Sequence, residues 1–193
     1  ATGSIRNFPG AKTLASPTAC LEIACDILIP AALEHQITGE NVDRIRCKIL
    51  AEAANGPTTP EADQALLAKG VVIIPDVYLN AGGVTVSYCE WIKNISHMRF
   101  GRMAKRFEAH RERRHIAAME RITGATFDAD DVRELTRGPD ELDLVRSGLE
   151  GTMSDAFVEI FETLHRKKPK SLDLRLGAYV VAIEKIAQSY EAL

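Results

Sequence analysis

The chain of 193 residues is 46% hydrophobic and 26% charged, ordinary proportions for a globular protein long enough to bury a sizeable core. A formal net charge of -3 at pH 7 excludes bulk positive charge as a means of binding nucleic acid or an anionic membrane surface. No apolar run approaches the roughly 18 residues of a membrane span, and the opening Ala1-Thr2-Gly3-Ser4 has no basic segment leading into an apolar stretch, so no signal peptide is expected.

Three short apolar runs come first: CDILI from Cys25 to Ile29, RCKILA from Arg46 to Ala51, and VVII from Val71 to Ile74. Pro30 and Pro75 close the first and third. Short runs rich in Ile, Val and Leu between breakers predict strands buried on both faces. Between them, Ala31 to Asp43 and Pro60 to Lys69 have helical length. In the second, Thr59 is placed to cap, Pro60 suits the first helical position and Gly70 ends it. The alternation of strand and helix predicts a parallel sheet with right-handed crossovers. A doubly wound nucleotide fold has about six strands. Three make either a partial Rossmann-like sheet, with further strands expected upstream, or an unusually small domain.

Beyond residue 81 the pattern turns helical. One helix is expected from Gly82 to His97 and a strongly charged one from Phe100 to Ile122, broken at Gly124. A short one runs from an Asp128 cap to Arg137, where Gly138-Pro139 end it. Leu142, Val145, Leu149, Met153, Ala156, Ile160 and Leu164 recur at three- and four-residue steps, the core-facing stripe of a long helix that Pro169 stops. Ser171 is placed to cap a last helix with Leu176, Ile183 and Tyr190 on its apolar face. The chain thus divides into an α/β part, residues 1–81, and a helical part, residues 82–193.

Residues 99–121 carry eight Lys or Arg against three acids, and residues 128–143 carry seven acids against two basics. The complementary signs predict a helical hairpin over about 99–143. Exposed pairs contribute only ~0.2–1 kcal/mol each, so they would guide geometry more than supply stability. Phe100 and Phe107 are the only aromatics in the basic segment, so the aromatic interleaving of a nucleic-acid stripe is not expected there. The cysteines Cys20, Cys25, Cys47 and Cys89 form no Cys-x-x-Cys pair and have no His at ligand spacing. Buried, reduced thiols in a reducing compartment are expected, and no metal site.

Three segments carry the candidate chemistry, each just after a predicted strand: Ile29-Pro30-Ala31-Ala32, Ala54-Asn55-Gly56-Pro57-Thr58-Thr59-Pro60, and Pro75 to Gly83. In open parallel sheets, ligands bind outside the carboxyl ends of the strands. Small residues there let a ligand approach the backbone. The Asn55 and Asn80 amides donate and accept hydrogen bonds, which suits a carboxamide or a ribose. Tight turns alone would also use Asn-Gly and Gly-Gly, but three such segments in register favour a site.

The stretches AEAANGPTTPEAD (51–63) and PDVYLNAGGVTVSYCEW (75–91) resemble the glutamate dehydrogenase family, and within it the hexameric animal-type enzymes. DILIPAALEHQIT (26–38), SGLEGTM (147–153) and LDLRLGAYVVAIEKI (172–186) are similar as well. The resemblance implies the C-terminal half of such an enzyme: the later strands of a dinucleotide-binding domain, then a pivot helix, a short antenna-like helical hairpin, and C-terminal helices. It implies oxidative deamination of L-glutamate to 2-oxoglutarate and ammonia with NAD or NADP, in a homo-hexamer. By position, Ala31 and Ala32 would lie along the cofactor, Asn55 and Asn80 near its nicotinamide ribose, and Ser87 and Val84 against the substrate side chain. Val84 and Ser87 are three apart, so a helix puts both on one face. A hydroxyl at 87 favours glutamate over apolar amino acids. The family's catalytic Lys and Asp and its glycine-rich phosphate turn have no counterpart in these residues. The hairpin is shorter than in animal enzymes, and Arg146 stands where those carry a His tied to GTP inhibition, so animal-style allostery is not expected. The alternative is a non-catalytic assembly or regulatory partner docking through residues 99–190. The compartment expected is the cytoplasm, with the mitochondrial matrix as alternative.

Overall fold

The computed structural model describes residues 8–96, 102–167 and 172–191. Arg99, the Pro169 stop and the Ser171 cap lie outside the described residues. By internal contacts the chain forms two units, one of Ala1–Gly82 with Ala156–Leu193, the other of Gly83–Asp155. The expected division at residue 81 falls beside the first of these boundaries, and the contacts group residues 156–193 with the sheet.

The first unit is built on three parallel strands in the order β1 (Ile27–Leu28), β2 (Ile49–Ala51) and β3 (Val72–Ile74). Register is set by the pairs Ile27 with Ile49, Leu28 with Leu50, Leu50 with Ile73, and Ala51 with Ile74. Alternation along β3 divides the packing between the two sheet faces. Val71 and Ile73 join Leu50, Ile37, Val42, Ile45, Ala62 and Leu66 in one cluster, whereas Val72 and Ile74 pack against Ile160, Leu164, Leu174 and Ala178 in the other.

Helix α1 (Pro60–Ala68) supplies Ala62 and Leu66 to the first cluster. The Thr59 side chain accepts from the Ala62 amide, Pro60 opens the helix, and Gly70 follows at φ +79°. After β3 come a single turn, α2 (Asp76–Leu79), and the helix α3 (Ala81–Ser96). The second cluster is made by the end of α6 (Glu141–Lys167) and by α7 (Leu174–Glu191). These two helices approach closely at Gly177, where an added Cβ would lie 2.8 Å from Leu164 Cγ. Asp173, which accepts from the Leu176 amide, caps α7.

Two expectations about this unit are corrected. The stretch from Ala31 to Asp43 is not a helix: only Val42–Arg44 forms a single 3-10 turn. The preceding residues bond to the segment after β2 instead, with His35 N–H donating to Gly56 O and the Gln36 and Ile37 amides to Pro57 O. Asn41 accepts from the Thr38 amide and donates to Gln36 O. Such side-chain bonds to nearby backbone offer an alternative to the helix. Secondly, β1 is not buried on both faces. Leu28 packs on the core, but Ile27 and the following Ile29, on the face where α6 and α7 cover β3, are 55% and 57% exposed, because that second cluster reaches β3 and not β1.

In the second unit, α4 (Arg102–Thr123) packs against α5 (Ala129–Thr136). Asp128 caps α5 by accepting from the Asp130 and Asp131 amides, and Glu120 of α4 accepts from the Phe127 amide. Ile116 is the buried apolar residue of α4. Among the described residues, most ion pairs of the two charged segments are local, whereas Glu141 pairs with Lys93 of α3. Arg111 and His115 pair with Glu112, Arg133 with Asp130, and Arg137 with Glu134, Asp140 and Asp143. The Asp143 amide and Arg137 hold the Asp140 carboxyl below its ordinary value, and across the hairpin the Lys105 charge of α4 adds to this.

Candidate functional site

Because the strands are parallel, their carboxyl ends share one edge of the sheet, and the segments that leave them lie side by side. Backbone bonds join these segments. The Ala53 and Ala54 amides donate to Pro30 O, at 3.1 and 2.9 Å, and the Glu52 amide donates to Ile74 O at 3.0 Å. Ile37 and Thr58 form a parallel bridge. Irregular backbone is thereby paired as a buried turn requires.

On this edge Asn80 Nδ2 donates to Asn55 Oδ1 at 2.5 Å. Asn55 is exposed and Asn80 half-buried. The Asn55 side-chain amine remains a donor. Ala31 and Ala32 are exposed on the neighbouring segment, where methyl groups leave room for a flat ligand. Gly56, at φ +50°, makes the turn after Asn55, in a conformation that L side chains rarely adopt, and a Cβ there would meet nothing within 4 Å. Two amide side chains, a small-residue edge and a glycine turn bring hydrogen-bond donors, acceptors and open backbone together on one edge of the sheet.

Under this edge lies a polar cluster that sequence reasoning missed. Arg175 of α7 donates to Glu52 Oε2 at 2.6 Å, to Asp63 Oδ1 at 2.9 and 3.1 Å, and to Asp76 Oδ1 at 2.9 Å. Glu52 is fully buried and the Arg175 side chain is 23% exposed. Burial alone would lower the affinity of the Arg175 guanidinium for its proton. The hydrogen bond and charge of Glu52, with Asp63, outweigh that and hold it above its ordinary value. Asp76 closes the circuit: its amide donates to Glu52 Oε2 at 3.0 Å, and its Oδ2 accepts from the Gly56 amide at 2.8 Å. An acidic residue directly after an apolar strand, as in Ile49-Leu50-Ala51-Glu52, was the one available signal. Its partner Arg175 is 123 residues away.

The other two expected site residues, Val84 and Ser87, belong to the second unit. Both lie on α3, three residues apart, and both are exposed. The Ser87 hydroxyl donates to the Gly83 carbonyl at 3.1 Å, so its lone pairs face outward and a carboxylate ligand would have to draw the proton away from that carbonyl. Among the described residues, no group of three or more His, Cys, Asp or Glu is arranged to hold a metal.

The family model described as Glutamate/Leucine/Phenylalanine/Valine dehydrogenase matches residues 1–134. The chain is 48% identical over 190 residues to a protein named mitochondrial glutamate dehydrogenase from Dictyostelium discoideum, covering 98% of this chain and 37% of that protein. It is 45% identical over 186 residues to a probable glutamate dehydrogenase from Sinorhizobium fredii, covering 96% of this chain and 42% of that one. Among solved structures, glutamate dehydrogenase from Peptoniphilus asaccharolyticus is similar with a TM-score of 0.56 and 29% identity, covering 85% of this chain and 31% of that one. The chain therefore spans about two fifths of the length of these curated relatives.

Proposed function

The chain belongs to the glutamate/leucine/phenylalanine/valine dehydrogenase family, whose members are NAD(P)-dependent oxidoreductases, and from that premise we propose that it is the C-terminal portion of a glutamate dehydrogenase. The observation that carries this reading is the Asn55–Asn80 pair at the carboxyl edge of the parallel sheet. The complete enzyme would oxidise L-glutamate to 2-oxoglutarate and ammonia, with NAD or NADP as hydride acceptor.

In this reading residues 1–81 are the later part of the dinucleotide-binding domain. Residues 82–193 supply the pivot helix, an antenna-like hairpin over about 99–143, and the C-terminal helices. Asn55 and Asn80 orient the nicotinamide ribose by hydrogen bonds, and Ala31 and Ala32 lie along the cofactor. Val84 packs beside the glutamate side chain and Ser87 meets its carboxylate. A bound nicotinamide supplies the hydride-accepting carbon; these residues fix distance and orientation, which is the protein's share of such chemistry. The assembly proposed is a homo-hexamer. The cytoplasm is the compartment read from the sequence, and the relative named mitochondrial supports the matrix as alternative.

The test is the intact mass of the natural protein, read together with glutamate-dependent reduction of NAD and NADP. A mass more than about twice 21.2 kDa with activity supports the reading. A mass near 21.2 kDa without activity favours a non-catalytic partner of a longer dehydrogenase.

A further inference from the structure

The buried cluster under the sheet edge does more than join α7 to the strands. We propose that Asp76 is a positioning residue for cofactor binding: held by Glu52 and Arg175, it fixes through the Gly56 amide the turn that presents Asn55 to Asn80. The proposal rests on the reading that Asn55 and Asn80 meet the cofactor.

Asp76 is pinned from two sides. Its amide donates to Glu52 and its Oδ1 accepts from Arg175 and from the Val77 amide. That leaves Oδ2 aimed at Gly56, 20 residues earlier in the chain. Gly56 turns at φ +50° with open space around it, so side-chain packing does not hold this turn. The Asp76 carboxylate, a charged acceptor on the Gly56 amide, joins the bond from the His35 amide to the Gly56 carbonyl in holding it. Asn80 closes the same loop of contacts, because it ends the turn that begins at Asp76.

Glu52 shows that the cluster favours placement over stability. It is fully buried, yet both of its side-chain bonds run through Oε2, and among the described residues Oε1 has no partner. A buried polar atom without a partner is costly, and better-satisfied arrangements would stabilise the fold more. Such departures mark sites where geometry matters. Asp63 supplies the internal comparison. Its carboxylate shares the Arg175 guanidinium, but it sits in α1 and makes no bond to the Asn55 turn.

The experiment measures NADH and NADPH binding by fluorescence in the complete natural protein and in its Asp76→Asn and Asp63→Asn variants, with melting temperatures alongside. Both variants should melt lower. Asp76→Asn should weaken cofactor binding by ~10-fold or more, as expected when a positioning contact is loosened, while Asp63→Asn changes it less than ~2-fold. Equal affinity in Asp76→Asn and wild type would overturn the proposal, as would equal weakening in the two variants. Should Asp76→Asn not fold, hydrogen exchange in the wild type decides: the Gly56 amide should be protected, and exchange at the rate of an open amide overturns the assignment. A wild type that binds NADH or NADPH but does not oxidise glutamate refutes the substrate reading and leaves this proposal standing. One that binds neither cofactor overturns both.

Discussion

Arg175 stands alone against three carboxylates, so its loss would leave Glu52, Asp63 and Asp76 facing one another under the sheet. Arg175→Met is expected to lower the stability of the chain by about 3–5 kcal/mol in urea unfolding, the usual cost of removing one partner of a buried ionic cluster. The folded-state pKa of Arg175 lies above its ordinary value. Its contribution is therefore fully present below the unfolded pKa and would fade only at extreme alkaline pH, so the loss in Arg175→Met should be the same at pH 6 and pH 9. Thiol chemistry gives a second residue-level expectation. Burial, then the neighbouring Cys25, pushes the Cys47 thiol up, which reduces its thiolate at neutral pH; against the expected burial, Cys20 and Cys25 are exposed and Cys47 and Cys89 only half-buried. Iodoacetamide followed by peptide mapping should label Cys20 and Cys25 before Cys47; the reverse order would contradict the burial. Asn55 and Asn80 could be singled out because each lies in a glycine-containing segment just after an apolar strand, 54–60 and 75–83; that their side chains bond to each other is what the structure adds. The Arg175 cluster was not legible, since a contact spanning 123 residues leaves no local pattern.

At the scale of elements, local chemistry and packing limit each other. Gly177 lies in α7, where alanine would gain ~0.5–1 kcal/mol of helix propensity. Its Cβ would meet Leu164 Cγ at 2.8 Å and Ile160 Cγ2 at 3.0 Å, the branch carbon and a methyl group of two buried side chains. Overpacking of this kind costs about 1–3 kcal/mol, so Gly177→Ala should destabilise on balance. Gly148, inside α6 with nothing within 4 Å, should show the bare propensity gain when changed to Ala. Equal effects at the two positions in thermal melts would contradict the close approach of α6 and α7. Asp128→Ala removes the cap of α5 and should cost about 1 kcal/mol of local stability, seen as faster exchange of the Asp130 and Asp131 amides. The sequence showed α1 almost to the residue, because cap, proline and terminal glycine all agree. It misled at Ala31–Asp43, where length suggested a helix but Asn41 and the backbone after β2 claim the hydrogen bonds. It misled again on β1, whose apolar run carries no mark that one of its faces is left uncovered.

For the molecule as a whole, family membership was readable because two segments, 51–63 and 75–91, pack turn-forming and polar residues into an order that folding alone does not require. The packing of residues 156–193 against the sheet was not. It depends on Gly177 and Arg175, which look unremarkable within an amphipathic helix. At this scale the substrate is the point at issue, and Ser87 on α3 carries it. In the complete protein Ser87→Ala should lower kcat/KM for glutamate by about 1–3 kcal/mol, as for a polar ligand group left unpaired. The most direct test of the account is the ratio of kcat/KM for L-glutamate to that for L-leucine in the complete natural protein, measured with NAD and with NADP. The account predicts a strong preference for glutamate that falls in Ser87→Ala. Equal or greater efficiency with leucine, or a preference that Ser87→Ala leaves unchanged, would contradict it.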